Sequence, residues 1–328
     1  MKVGIDVAPL VQTQAGTARW IQGLLGELEH RPGLDVRRLS WGGPGRVRAA
    51  VRDVVWYPAL LPLAAARQRL DVVHCTIFRA PLRSRVPVAV TVYDLAVLRH
   101  PDAFPLWTRT YGRTMLLPTL RAAAKIVTIS EFTKGEVIEL AGVPEDRVAI
   151  VPCAVDDIFQ PVGPAADGDY LLAVGTLEPR KNLAVAVQAA RLAGLELRVV
   201  GASGWGDVQI GGDGVRWLGR SSDEELARLY RGAQCLVYPS LYEGFGIPVA
   251  EAMACGTPVV TSAHSAMSEV AGGAAVLVDP RDPEAVAAGI AEAIARRDEL
   301  SALGLERSKV FTWSAAADAA EQVYRSLA

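Results

Sequence analysis

Apolar residues along this chain come in short runs separated by glycine, proline and charge. Through the first half, KVGIDVA, LDVRRL, DVVHC, VAVTVYD, KIVTIS and VAIVP alternate with helical segments, one from about Gly16 to Glu29, one through WTRTYGRTMLL and one over EFTKGEVIEL. Runs of roughly four to eight apolar residues bounded in this way are those of strands buried on both faces. Strands that alternate with helices over short connections form parallel β-α-β units. The stretch PVGPAADGD, residues 161–169, breaks the alternation and predicts a linker. Beyond it the pattern restarts with YLLAVG, NLAVAVQAARLAG, LELRVVG, VRWLG, SDEELARLYRGA, CLVYPS, a helix from Pro248, TPVVTS, AAVLVD and helices from Pro283 onward. The chain is therefore expected to be α/β, with two doubly wound parallel sheets facing across a cleft and ligands bound outside the carboxyl ends of the strands.

Composition narrows the function classes. The chain has 328 residues, enough for two domains with a core each, and 51% of them are apolar. Nevertheless, no apolar run approaches the roughly 20 residues of a membrane span. The start, MKVGIDVAPL, reads as a first strand rather than a signal peptide, so a cytoplasmic protein is expected. The four cysteines, Cys75, Cys153, Cys235 and Cys255, lie far apart in or beside apolar segments and read as reduced, buried thiols. A formal net charge of −2 argues against nucleic acid as a partner. Between Arg31 and Arg121, however, basic residues outnumber acidic ones three to one. That excess is either an ordinary solvated surface or a face for an anionic acceptor or anionic lipid, the latter implying peripheral membrane contact.

The stretch YPSLYEGFGIPVAEAMACGTPVVTS, residues 238–262, concentrates the chemistry. A strand ends in a loop with glycines at 244 and 246, and a short helix opens at Pro248. Loop amides and a helix N-terminus suit a phosphate, which makes the flanking acids Glu243 and Glu251 odd. A sugar nucleotide resolves the oddity: amides take the diphosphate, one carboxylate takes ribose hydroxyls and the other takes hydroxyls of the donor sugar. The alternative for Glu251 is stabilisation of the first turn of its own helix.

The segment EGFGIPVAE resembles the signature of the family 4 retaining glycosyltransferases of GT-B fold, in particular the bacterial mannosyltransferase-type group 1 enzymes. LLAVGTLEPRKN, VRWLGRSSDEELARLYRGAQCLVYPSLYEGFGIPVAEAMACGTPVVTS, SEVAGGAAVLVDPRDPEAVA and, earlier, AGTARW, TVYDLAVLRHP and TISEFTKGEV agree with it. The resemblance implies two Rossmann-like domains: residues 1–161 for the acceptor, 162–313 for the donor, and a last helix at about 314–328 packed back on the first. In GTLEPRKN a strand closes at Gly175 and a helix opens at Asn182, the only asparagine in the chain and a favoured N-cap residue. Arg180 and Lys181 lie in the turn between, where two cations can neutralise a leaving diphosphate, and a lysine at the position of Lys181 does so in the family.

By the same resemblance Glu243, Lys181 and Arg180 are the catalytic residues. Gly16, Gly244, Phe245, Gly246, Ile247, Tyr93 and Asp94 meet the donor sugar and phosphates, and Glu251, Arg220 and Ser221 meet the nucleotide. Trp205 lies on the same side of the second domain. Asp94 reads equally as a loop cap, and His74 equally as a structural histidine or an acceptor contact. Two departures stand out: Thr176 where many relatives have arginine, and Tyr93 where many have histidine. Asp167-Gly168-Asp169 matches a metal-binding Asp-x-Asp but lies in the linker, and the family needs no metal, so neither metal nor cofactor is expected.

The activity implied is transfer of a hexose, first of all mannose from GDP-mannose, from a nucleoside diphosphate to a hydroxyl of a glycan, lipid-linked or small-molecule acceptor. A sugar-nucleotide 2-epimerase, a phosphorylase and a non-catalytic sugar-nucleotide-binding partner subunit are the alternatives.

Overall fold

The computed structural model describes residues 1–11, 16–101, 104, 106–204 and 211–328, without the side chains of Arg46 and Trp107; Trp205 lies outside the described residues. The chain forms two compact units, Met1–Ala154 with Trp313–Ala328, and Val155–Thr312.

The first unit is built on a six-stranded sheet of order β2-β1-β3-β4-β5-β6. Its strands are β1 (Lys2–Asp6), β2 (Asp35–Leu39), β3 (Val72–Cys75), β4 (Val88–Val92), β5 (Lys125–Thr128) and β6 (Val148–Ile150), all paired in parallel. Strands β3 and β4 are buried throughout, as their unbroken apolar runs require. The chain winds from β1 to β2 in one direction and then to β3 on the other side of β1, so the β1/β3 pair, with Asp6 opposite Cys75, is the switch point of this sheet.

The segment between β2 and β3 was not foreseen. It is helical from Arg46 to Arg67, with a π-helical stretch Arg52–Leu60 that contains Pro58. Proline has no N–H to donate and its ring crowds the preceding turn, which favours the wider winding. This stretch buries Arg52, Asp53, Trp56 and Tyr57.

The helix Trp313–Arg325 completes the first unit. A Cβ at Gly23 would lie 2.3 Å from the Trp313 ring, so only glycine lets this helix seat against the helix Gly16–Leu28. Arg31 ties the same two helices by pairing with Asp318 and Glu321.

The second unit has a sheet of order β12-β11-β10-β7-β8-β9. It comprises β7 (Tyr170–Val174), β8 (Glu196–Val200), β9 (Val215–Gly219), β10 (Leu236–Tyr238), β11 (Val259–Ser262) and β12 (Val276–Val278), again all parallel. Here the switch point falls between β7 and β10. The change of unit comes at Ala154–Val155, upstream of the boundary expected at residue 161. The reason is packing: the Phe159 ring meets Tyr230 at 5.9 Å, Ala166 N–H donates to Arg228 O at 3.0 Å, and Arg231 donates to Gln160 O and Pro164 O.

All four cysteines are buried and unpaired. Among the described residues, no helix is long and apolar enough to cross a membrane.

Candidate functional site

Two loops leave the second sheet at its switch point. The first follows β7 and runs from Gly175 to Asn182. It lies against the loop after β8 so closely that a Cβ at Gly201 would come within 1.8 Å of Gly175 O, and one at Gly204 within 2.1 Å of Leu177 O. The Leu177 N–H bond to Ala202 O at 3.0 Å fixes this approach. A single turn, Pro179–Lys181, then ends at Asn182 in the left-handed region, φ 54° and ψ 38°.

Asparagine tolerates that conformation better than most residues. Its side chain does not cap the helix Leu183–Ala193, contrary to the sequence expectation; it donates to Pro239 O at 3.1 Å and Pro280 O at 2.5 Å. Asn182 therefore ties the turn after β7 to the chain beyond β10 and β12.

The second loop follows β10. Leu241 N–H donates to Arg180 O at 2.9 Å, so the two loops are joined by main chain as well. Between them lies a buried ionic network. Glu243 Oε1 accepts from Lys181 Nζ at 2.6 Å, Ser240 Oγ at 2.7 Å and Tyr238 OH at 3.0 Å. Its Oε2 accepts from Arg180 Nη1 at 2.8 Å. Arg180 also donates to Tyr242 O at 2.7 Å and to Glu178 Oε1 at 3.2 Å. Lys181 Nζ donates to Tyr238 OH at 2.7 Å.

Burial alone would raise the Glu243 pKa. The charges of Lys181 and Arg180 and the hydrogen bonds from Lys181 and Ser240 outweigh it and hold the carboxyl at about 2. Glu178, Tyr238 and Ser240, which complete the network, were not singled out from sequence; their position at strand-end turns beside GTLEPRKN and EGFGIP is the signal that could have found them.

The rest of this loop is set by Ser265 and Phe245. Glu243 N–H donates to Ser265 Oγ at 3.2 Å, and Ser265 itself has the uncommon backbone of φ 58° and ψ −157°. The Phe245 side chain is packed inward against Phe311, with ring centroids 5.4 Å apart, so any ligand contact from Phe245 is through main chain. Gly244 is buried, and Gly246 at φ 97° turns the chain into the helix Ile247–Ala254, which Ile247 begins.

Glu251 follows the first turn of that helix, so it does not stabilise it in the way the structural alternative supposed. It is buried, and its Oε2 accepts from Tyr230 OH at 3.0 Å. Arg220 and Ser221 lie in the loop between β9 and the helix Asp223–Gly232; Arg220 is exposed, and the Ser221 hydroxyl is buried with no hydrogen-bond partner among the described residues. Arg180, Lys181 and Glu243 are thus in direct contact, and Thr176 follows Gly175 in the same loop.

The remaining candidates belong to the first unit. Gly16 opens the helix Gly16–Leu28 and is exposed. The Tyr93 ring meets Trp20 edge-on at 5.4 Å, and its buried hydroxyl has no hydrogen-bond partner among the described residues. Burial pushes its pKa well above the ordinary value. Asp94 Oδ1 accepts from Ala96 N–H at 2.9 Å, the bond of a loop cap.

His74 is structural: its two ring nitrogens lie 2.7 Å from Tyr324 OH and Thr91 Oγ1, and burial lowers its pKa to about 4, leaving the ring neutral. In the linker triplet, Asp169 Oδ1 accepts from Gln234 and Asp167 O accepts from Arg198. Among the described residues no group of three or more His, Cys, Asp and Glu is placed to hold a metal.

Comparison with known proteins adds an independent line. Residues 155–307 match the family described as glycosyl transferases group 1, and residues 23–158 match glycosyltransferase family 4. The chain is 36% identical over 261 residues to an O-antigen chain mannosyltransferase B of Escherichia coli, covering 71% of this chain and 68% of that one. It is 31% identical to a D-inositol 3-phosphate glycosyltransferase of Geodermatophilus obscurus, covering 92% and 77%. Among solved structures it is similar to a sucrose-phosphate synthase of Thermosynechococcus elongatus, with TM-score 0.76 and 21% identity over 100% of this chain and 99% of that one. Anabaena HepE, solved with UDP and glucose, gives TM-score 0.76 and 16% identity over the full length of both. At those identities the structural likeness establishes the fold, which is GT-B.

Proposed function

The chain belongs to the group 1 glycosyltransferases of family 4, and on that premise we propose that it transfers a hexose from a nucleoside diphosphate to an acceptor hydroxyl with retention of anomeric configuration and without a metal. The observation that carries this reading is the Lys181–Glu243–Arg180 network at the β7/β10 switch point, where two cations and a carboxylate are held in place by buried hydrogen bonds. In this reading the diphosphate draws on the N–H groups of Lys181 and Arg180 and on the amides around Gly244 and Gly246. Glu243 then turns its oxygens to hydroxyls of the donor sugar, and Glu251 receives the ribose.

Charge stabilisation is the main chemical contribution. The bond from C1 to the phosphate oxygen breaks, the acceptor oxygen bonds to C1 on the same face, and the acceptor proton passes to the departing phosphate. Glu243, with its pKa held near 2 by two cations, is a poor proton acceptor near neutral pH, which supports giving that role to the phosphate. It supports neither a double displacement nor an epimerase that needs a free base.

Mannose from GDP-mannose is the first choice of donor, supported by the mannosyltransferases among the relatives, and a place in glycan assembly follows from the same names. Peripheral contact of the first unit with anionic membrane has narrower support than its charge excess suggests. Arg31, Arg37, Arg38, Arg79 and Arg99 pair with carboxylates inside the unit. Arg48, Arg67, Arg69, Arg83 and Arg85 are exposed, and Val47 and Val54 are exposed beside the first of them.

The test is a screen of nucleoside diphosphates for binding, then of their sugars for turnover in excess EDTA, with the anomeric configuration of the product read by NMR. Guanosine specificity and a retained α-linkage are expected. An inverted product, or activity that EDTA abolishes and manganese restores, contradicts the mechanism. Binding without transfer to any acceptor favours the non-catalytic subunit.

A further inference from the structure

The first sheet has a switch point of its own, and a second cluster of charged side chains is buried there. Asp6 ends β1 opposite Cys75 of β3 and is fully buried. Tyr57 OH donates to its Oδ2 at 3.0 Å and Ala8 N–H to its Oδ1 at 3.2 Å. Arg52, on the π-helical stretch, is only 1% exposed. One guanidinium nitrogen reaches Trp41 O at 3.3 Å, and Nη2 has no hydrogen-bond partner among the described residues. Trp56 Nε1 faces the Asp6 carboxyl without completing a hydrogen bond. Arg79, in the loop after β3, lies with Nε 2.9 Å from Asp53 Oδ1 and with its guanidinium over the rings of Phe78 and Tyr111, at 5.7 and 5.2 Å. Its side chain, 17% exposed, forms the outer edge of the cluster.

A guanidinium carries five N–H donors and is costly to bury with any left unmade. Structural ion pairs close such accounts, as the second unit shows. Among the described residues this cluster leaves two donor types, guanidinium and indole N–H, without a hydrogen bond beside the carboxyl ends of β1 and β3, where doubly wound sheets receive ligands. The complement of such donors is an oxyanion, which a guanidinium binds through two parallel hydrogen bonds.

We propose that Arg52, Trp56 and Arg79 form an anion-binding subsite in the first unit that receives a phosphate or carboxylate group carried by the acceptor. Calling the ligand the acceptor rests on the glycosyltransferase reading; the subsite itself does not.

Inorganic phosphate and glucuronate are titrated separately into the full chain without donor, by calorimetry. The proteins are the wild type, Arg52→Gln, Arg79→Gln and, as a control, Arg85→Gln, an exposed arginine outside the cluster. Binding of a nucleoside diphosphate is measured on the same samples, so that failure of the donor reading and failure of the subsite are told apart. One anion or both should bind the wild type and Arg85→Gln equally, with roughly ten- to hundredfold loss in Arg52→Gln and a smaller loss in Arg79→Gln. Preference for phosphate assigns a phosphorylated acceptor, and preference for glucuronate an acidic sugar. Circular dichroism establishes that each variant is folded; if Arg52→Gln is not, Arg79→Gln decides. No binding of either anion to the wild type, or equal affinity in all four proteins, overturns the proposal and leaves Arg52 a structural residue.

Discussion

At the β7/β10 edge of the second sheet, Lys181, Arg180, Glu178 and Glu243 each have an opposite charge within 3.2 Å. At the β1/β3 switch point of the first sheet, Arg52 is buried more deeply than either of those cations and has a guanidinium nitrogen without a hydrogen-bond partner among the described residues. The strand orders differ, but each sheet has a carboxylate-bearing loop or strand end at the point where its winding reverses. The difference is in how the charges are satisfied. A saturated network holds its side chains in position before any substrate arrives, the condition for electrostatic catalysis. An unsaturated one is stable only because the surrounding fold carries it, and it marks where a ligand completes the structure.

The two carboxylates report this contrast through opposite pKa shifts. Glu243 is held at about 2, below its ordinary 4.5. Its stabilisation is therefore complete above pH 4.5 and lost as pH falls toward 2, a span worth on the order of 3 kcal/mol. Asp6 is raised from 3.8 to about 6, because burial outweighs the hydrogen bonds from Ala8 and Tyr57. The folded state then holds the proton more tightly, so stability declines as pH rises from 3.8 through 6.

Glu243→Gln, which leaves two buried cations without their carboxylate, has the largest expected effect. Unfolding by urea should show a loss of about 3 to 5 kcal/mol at pH 7 and a flattened acid limb below pH 4.5, with turnover down a hundredfold or more. Asp6→Asn should flatten only the limb between about pH 4 and 6, on the order of 3 kcal/mol. If both variants keep the wild-type profile, the two edges do not differ in the way described.

The smallest effect is expected at Tyr93. Its hydroxyl is buried without a hydrogen-bond partner among the described residues, so Tyr93→Phe should leave unfolding stability unchanged to within about 0.5 kcal/mol or raise it. Turnover should fall about tenfold if the hydroxyl meets substrate. A loss of stability above about 1 kcal/mol shows instead that the hydroxyl is satisfied within the fold.

Both sheets were legible in sequence, because strands buried on two faces must be continuous apolar runs and their connections must be short. The chemistry at the second switch point was legible for the same reason: GTLEPRKN follows a strand directly and EGFGIPVAE lies in the loop after one, so their charges fall at its carboxyl end. What sequence did not convey is how side chains are shared between elements. Asn182 looked like a helix cap and instead joins two strand ends. The expected linker, residues 161–169, is held against the second unit through Pro164 and Ala166. The Asp6, Arg52 and Arg79 cluster draws on three separated segments, and Arg52 and Arg79 read as two members of an arginine-rich surface. Only the π-helical turn around Pro58, which no periodicity announces, carries Arg52 and Trp56 inward.

The central claim is that the cations held by Glu243 are the ones that take the diphosphate, and Lys181→Ala tests it most directly. A nucleoside diphosphate is titrated into the wild type and the variant, and turnover of the matching sugar nucleotide is measured on the same samples. Loss of one charge-assisted bond to phosphate, about 1.5 to 3 kcal/mol, predicts that affinity and turnover both fall at least tenfold in a folded variant. Affinity and rate equal to the wild type would show that the network at the β7/β10 edge is structural and that the diphosphate binds elsewhere.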